Sequence, residues 1–237
     1  MLGLVAARPA HAEDPVAADV VAADPGANAV LLTSTALTQP RHALIVSSHM
    51  GVTGVTYGLL ERLEVSGYVV PLFLLPDPGH PGFRGGAVLA AKVAVVRHGP
   101  VRAAVEGRGA ALKLDEYSKT GYAEASAIAT WCATPSCGWQ VTTEATFGWR
   151  HQTFEDRQPQ SYLTYRVAAG ARVPLAAHVA LVADVARWWD ETAHVRRPIA
   201  AGLRLHGQHL MVQGSLVVDP GGYNPAWLPW LAVAYRF

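Results

Sequence analysis

Several kinds of protein are excluded by what this 237-residue chain does not have. It contains no run of about eighteen apolar residues, so no helix of ordinary length spans a bilayer. Charge is scarce and balanced: Asp, Glu, Lys and Arg are 16% of the residues, with a formal net charge of +1. A balance of that kind offers no basic surface for nucleic acid. Long helical periodicity is also scarce. There are two cysteines, Cys132 and Cys137, in C-A-T-P-S-C. Pro135 and Ser136 signal a turn between them, so the thiols face each other and read as a disulfide in an oxidising compartment. Two free thiols are the alternative. No further Cys or His stands close enough to complete a metal set, and no metal or cofactor is expected.

What the chain does have is short apolar–polar alternation, period two, broken by Gly, Pro, Asp and Asn clusters. That is the signature of strands. Twelve segments are predicted: 28–36, 42–57, 62–74, 86–97, 101–113, 121–132, 138–150, 161–170, 174–187, 195–206, 208–218 and 226–237. The run 42–57 is the weakest, because Ser47, Ser48, Gly51 and Gly54 allow either parity or a bulge. Connections alternate in length. Those near 58–61, 98–100, 133–136, 170–173 and 207 are short. Those near 76–84, 115–120, 151–160, 189–194 and 219–224 are longer and rich in Gly, Pro or charge. The tight Gln39–Pro40 turn departs from the pattern.

The stretch from Cys137 to Arg150, C-G-W-Q-V-T-T-E-A-T-F-G-W-R, carries the reading furthest. Trp139, Val141, Thr143, Ala145, Phe147 and Trp149 share one parity; Gln140, Thr142, Glu144, Thr146 and Arg150 share the other. Ten residues at about 3.3 Å each, tilted by about 40°, climb roughly 25 Å, the height of the apolar band of a membrane barrel. Indoles at both ends suit the two interfaces. Alternation with charge on the reverse face also fits a soluble sandwich, whose apolar face meets a second sheet. The aromatic brackets and the chain terminus separate the two.

The chain ends W-L-P-W-L-A-V-A-Y-R-F. This resembles the terminal strand of bacterial outer-membrane β-barrel proteins, with a final aromatic residue and apolar residues at alternating positions before it. The resemblance implies an all-β fold, a transmembrane antiparallel meander β-barrel of about 12 strands, in the outer membrane of a Gram-negative bacterium. It implies outer-membrane lipid as surroundings. It also implies recognition by the barrel-assembly machinery through Leu231, Val233, Tyr235 and Phe237. A second likeness, to the opening of several bacterial barrel proteins, lies in L-L-T-S-T-A-L-T-Q-P and Y-G-L-L-E-R-L-E-V. With the C-terminus in the periplasm, as in that family, short turns are periplasmic and longer loops external. Trp131 and Trp139 then form an inner aromatic girdle with Tyr235 near the terminus, and Trp149, Trp189 and Trp227 form an outer one.

The organisation expected is a signal-peptide remnant over 1–12, with Ala10-His11-Ala12 as a small-x-small cleavage pattern. An acidic periplasmic tail or small plug follows over 13–27, and a barrel over 28–237. Charged residues opposite the apolar faces would line the lumen: Lys92, Arg102, Glu106, Arg108, Glu124, Glu144, Arg166, Asp184 and Arg204, with Glu64 and Arg236 also inward. Their mixed sign suits a narrow channel for small polar solutes. The alternative is a plugged barrel with a structural or partner-binding role. An outer-membrane lipid hydrolase would need a serine and histidine on the outer lipid-facing side. Ser47 and His49 are the nearest pair, no hydrolase motif surrounds them, and no catalytic residue is assigned.

Overall fold

Alternation becomes geometry in β7 (Gln140–Phe154). Gln140, Thr142, Glu144, Thr146 and Gly148 are buried while Val141, Thr143, Ala145, Phe147 and Trp149 are exposed. The computed structural model describes residues 24–27, 29, 32–49, 52–71, 85–113, 118–134, 137–155, 157–192, 195–220 and 227–237. The leader, most of the acidic tail and the loop 76–84 fall outside them.

The other strands are β1 (Leu44–His49), β2 (Val52–Leu60), β3 (Leu63–Pro71), β4 (Gly85–His98), β5 (Val101–Lys113), β6 (Ser118–Cys132), β8 (Gln160–Ala176), β9 (Val179–Asp190), β10 (Val195–Arg196), β11 (Ile199–His206), β12 (Leu210–Val218) and β13 (Trp227–Arg236). β10 and β11 both pair with β9 and are two pieces of one staggered strand, parted at Arg197–Pro198. The described wall therefore has twelve antiparallel strands in meander order. β13 pairs with β1, Ile45 opposite Arg236 through His49 opposite Ala232, and the sheet closes on itself. Closure leaves no open edge, which is the condition for a sheet to stand in hydrocarbon.

The wall is inverted relative to a water-soluble protein. Arg102, Arg204, Gln140 and Gln213 are among the largest fully buried side chains, whereas Phe147, Leu203, Leu231 and Trp227 are exposed. A sandwich would bury the second set and expose the first. The apolar row of β7 therefore points away from the molecule, and no second protein layer covers it among the described residues.

Three sequence expectations are corrected. The described residues of 28–36 do not form the first strand: among them only an isolated bridge joins Ala29 and Ser34. The β13–β1 ladder occupies the edge they would have needed. The run 42–57 is a hairpin, β1 and β2, joined after His49 and before Val52. These two errors cancel, so twelve is the right count with the wrong membership. The turn expected at 170–173 lies instead at Ala177–His178, because β8 continues to Ala176. Pro174 fits there because the β8–β9 register shifts between Pro174 and Ala176.

The N-terminal segment enters beside the closure seam. His42 N donates to Gly58 O at 2.7 Å, and Phe237 N donates to Leu44 O at 3.0 Å. Gly58 is required at that crossing, since a Cβ there would stand 1.9 Å from the Pro40 carbonyl oxygen. Cys132 and Cys137 are disulfide-bonded at the short-turn end.

Candidate functional site

The lumen is not empty. Asp24, Thr33, Thr35, Ala36, Leu37, Thr38 and Gln39 are buried, and all belong to residues 24–40, ahead of the wall. The described residues of this segment lie inside the barrel toward the short-turn end. The sequence analysis sets a boundary at residue 28, with an acidic tail or small plug before it; among the described residues Asp24–Ala27 lie inside, and the first strand of the wall begins at Leu44.

What fastens the segment is mostly polar. The Asp24 carboxylate meets Arg172 at 3.0 Å and Arg204 at 3.3 Å, and it accepts from Gly26 N at 2.8 Å. Arg204 also donates to the carbonyls of Gly26 and Ala29, each at 2.8 Å, and to Gln213. A guanidinium supplies five donors in a planar fork, so one wall residue satisfies several backbone oxygens. Farther in, Ser34 N donates to Glu144 at 3.0 Å, Ala36 N to Thr130 at 2.9 Å, and Arg166 to Leu32 O at 2.9 Å. Gln39 is gripped from two sides, its N–H donating to Glu64 and its amide oxygen accepting from Arg236. Apolar contact is small: Ala27 and Leu37 pack with the disulfide, and Ala36 with Ala104 and Ile128.

Burial alone would raise the Asp24 carboxyl above the ordinary carboxylate range. Arg204 and Arg172, together with the Gly26 N–H, outweigh it and hold the group below that range.

The lumen-lining set of the sequence analysis lies inside the barrel, and much of it forms one network. Glu144 pairs with Arg166 and, at 3.5 Å, with Arg108. Arg108 also meets Glu106 at 2.6 Å and Glu124 at 3.8 Å. Lys92 is paired to Glu64 at 2.8 Å. Arg102 turns to the short-turn end, donating to Gly99 O and Val101 O. Asp184 is buried on β9. Residues that sequence reasoning passed over are Asp24, Gln39 and Arg172. Arg172 was hidden in the misplaced turn. Asp24 sits in D-P-G, where local pattern announces only a bend.

Two cavities adjoin these groups among the described residues. One of about 250 Å³ lies against the N-terminal segment and is bounded by Ser47, His49, Glu64, Tyr68, Lys92 and Arg204. Tyr68 fits there because Gly54 opposite has no side chain, and a Cβ would stand 2.0 Å from its ring. The other, about 520 Å³, opens toward the long-loop end and includes Tyr122, Arg150, Tyr162 and Trp188. Arg150 donates to Tyr162 Oη at 3.3 Å, and Tyr162 donates to Gln152 at 3.0 Å. Ser47 and His49 both border the inner cavity, so they do not occupy the lipid-facing side that a lipid hydrolase would require. Among the described residues no three His, Cys, Asp or Glu side chains converge as a metal set.

Five tryptophans, Trp131, Trp139, Trp149, Trp189 and Trp227, stand at the two rims of the outward surface, whereas Trp188 borders the larger cavity and Trp230 packs on His49. Trp131 and Trp139 are exposed at the short-turn end, Trp149 and Trp227 at the other. Trp189 stacks on Tyr165 with ring centroids 5.7 Å apart, and Tyr235 meets Phe237 at 4.9 Å. Leu231, Val233, Tyr235 and Phe237 all face outward.

No family model matches the sequence and no curated protein matches it. Solved structures do resemble the fold. The translocator domain of the autotransporter NalP from Neisseria meningitidis aligns with a TM-score of 0.50 at 11% identity, over 82% of this chain and 88% of that one. The fold is that of a bacterial outer-membrane β-barrel. A porin refined at 1.8 Å aligns with a TM-score of 0.45 at 11% identity, over 78% of this chain and 61% of its own. OmpT lacking loop L8, an outer membrane protein of Vibrio cholerae, aligns with a TM-score of 0.46 at 10% identity, over 78% and 63%. This chain thus spans less than two thirds of those two. With its closed wall, outward apolar band and aromatic rims, the barrel belongs in an outer membrane.

Proposed function

We propose that this chain is an outer-membrane channel for small polar solutes whose lumen is closed, in the state described here, by its own residues 24–40. The observation that carries the proposal is the chemistry of the fastening. The segment is held by the Asp24 ion pairs and by hydrogen bonds to wall residues, with little apolar burial. A wall lined by Arg, Glu, Lys, Thr and Gln stays wetted when such a segment leaves, whereas an apolar lining would empty of water.

The test is single-channel recording from the folded full-length chain in planar bilayers. Wild type should be mostly closed. Asp24→Ala together with Gln39→Ala should raise open time and conductance, because the segment loses its clamp on Arg172 and Arg204 and its bond from Arg236. A folded double variant that stays closed, with removal of residues 24–39 also giving no conductance, would sink the channel.

That outcome would favour a permanently plugged barrel with a structural or partner-binding role. The feature that speaks for it is the complete burial of Asp24 between two arginines. Under either reading the outward row Leu231, Val233, Tyr235 and Phe237 is offered to the assembly machinery during biogenesis.

A further inference from the structure

The outward wall carries a feature that neither a pore nor a plug uses. Arg187 on β9 is exposed on the same face as Val185 and Leu181, which is the face turned to hydrocarbon. Beside it, at the break between β10 and β11, Arg197 is exposed as well. Both border one surface depression. Arg187 lies against the Trp189 ring, 5.8 Å from its centroid. Among the described residues neither guanidinium has an acidic partner: Asp219 binds Arg196 through its side chain and Arg197 only through the backbone N–H.

Two like charges side by side on a lipid-facing wall are unfavourable unless an anion lies between or above them. Arg187 is two residues from Trp189 on the same parity, just inside the aromatic rim. Long basic side chains at that depth extend toward the lipid headgroups, where phosphate is the available anion.

The depression gives the second half of the site. It has a volume of about 950 Å³ and opens on the outer surface, walled by Val95 and Val105 at one side and Val185 at the other. Its floor is low because a cross-strand row runs Val105, Ala127, Ala145, Val167, Arg187, so two alanines separate the valines and the row ends on the arginine. From β4 to β9 it covers five strand spacings, roughly 24 Å around the wall. That breadth exceeds a two-chain phospholipid and suits a lipid with several acyl chains on one head. The arginines lie toward the long-loop end, the outer leaflet in the orientation set by the C-terminus.

The geometry points to a lipid site on the outside of the barrel. Arg187 and Arg197 bind the phosphates of a multiply acylated, phosphorylated glycolipid of the outer leaflet, and its chains lie in the alanine-floored depression. This inference rests on the barrel standing in the outer membrane with its long loops outward.

The test uses the full-length chain, folded in mild detergent and verified by heat-modifiable electrophoretic mobility. A bisphosphorylated, six-chain glucosamine disaccharide lipid is titrated in and bound copies are counted by native mass spectrometry. Wild type should hold one copy in preference to the dephosphorylated lipid. Arg187→Gln with Arg197→Gln should weaken binding by roughly thirtyfold, the loss expected for two arginines at a charged membrane surface. Arg187→Lys with Arg197→Lys should retain most of it. Ala127→Trp with Ala145→Trp should also weaken it by filling the floor while leaving the arginines in place. Unchanged affinity in the folded Gln double variant would overturn the site. Equal binding of phosphatidylglycerol would overturn the choice of glycolipid. Failure of the wild-type chain to insert into vesicles would instead sink the membrane reading itself, a result the mobility and insertion assays report separately.

Discussion

At the scale of single residues, the interior is a set of shared charges. Glu144 is the clearest case, because it serves the wall and the N-terminal segment at once. Its carboxylate pairs with Arg166 and Arg108 and accepts from Ser34 N. Removing one member of a buried charge group leaves the others uncompensated, at a cost of about 3–5 kcal/mol. Glu144→Gln should therefore lower barrel stability by that order, read as a lower unfolding midpoint in urea with lipid vesicles present. Glu124→Gln should cost far less, since its contact to Arg108 is 3.8 Å and its side chain is more open. Equal effects would show that the network does not have Glu144 at its centre. The sequence reading found Glu144 by parity alone and could not find its partners, which come from neighbouring strands and from residues far earlier in the chain.

At the scale of an element, each strand keeps the inversion that defines the wall. On β4, Lys92 is buried and Val93 beside it is exposed. Val93→Arg should lower stability because it sets a charge on the lipid-facing side of the wall. Val93→Leu should change little. The check is folding yield and urea stability in vesicles; a soluble, detergent-independent Val93→Arg protein would mean that β4 does not face lipid. Where sequence reading misjudged an element, local pattern had imitated a strand or a turn. Residues 28–36 alternate well enough, but the seam between β13 and β1 leaves them no edge to pair with. The signals at 170–173 were outweighed by ladder bonds that carry β8 on to Ala176.

At the scale of the molecule, the barrel and its inner segment are two bodies joined through ionisable groups, so their union depends on pH. Asp24 is the group on the segment whose titration matters. Its pKa is depressed when the segment is in place, because Arg204 and Arg172 outweigh the effect of burial. A depressed carboxyl contributes fully above its ordinary value, near 3.9 for a free Asp, and the contribution is lost as pH falls through the depressed one. Channel opening should thus increase in acid, beginning below the ordinary carboxylate range, and be absent as a pH effect at neutrality and above. Asp24→Asn should open more at neutral pH and lose much of the acid response. Recordings across that range check both; an acid response undiminished in Asp24→Asn would assign it to other carboxylates.

Some of this was determined by the amino-acid sequence alone. Period-two alternation, tryptophans at both ends of an apolar row and the aromatic terminus specify a membrane barrel, because a strand's two faces meet different surroundings whatever its neighbours are. Parity likewise assigned Lys92, Glu144, Arg166 and Arg204 to the inside. Tertiary structure decided the rest: which strands close the wall, that the described residues of 24–40 fill part of the lumen, and that Asp24 is clamped between Arg172 and Arg204. Those facts rest on contacts across as many as 197 positions of chain. No local period records such contacts, since their energy exists only once the wall has closed and taken the ions out of water.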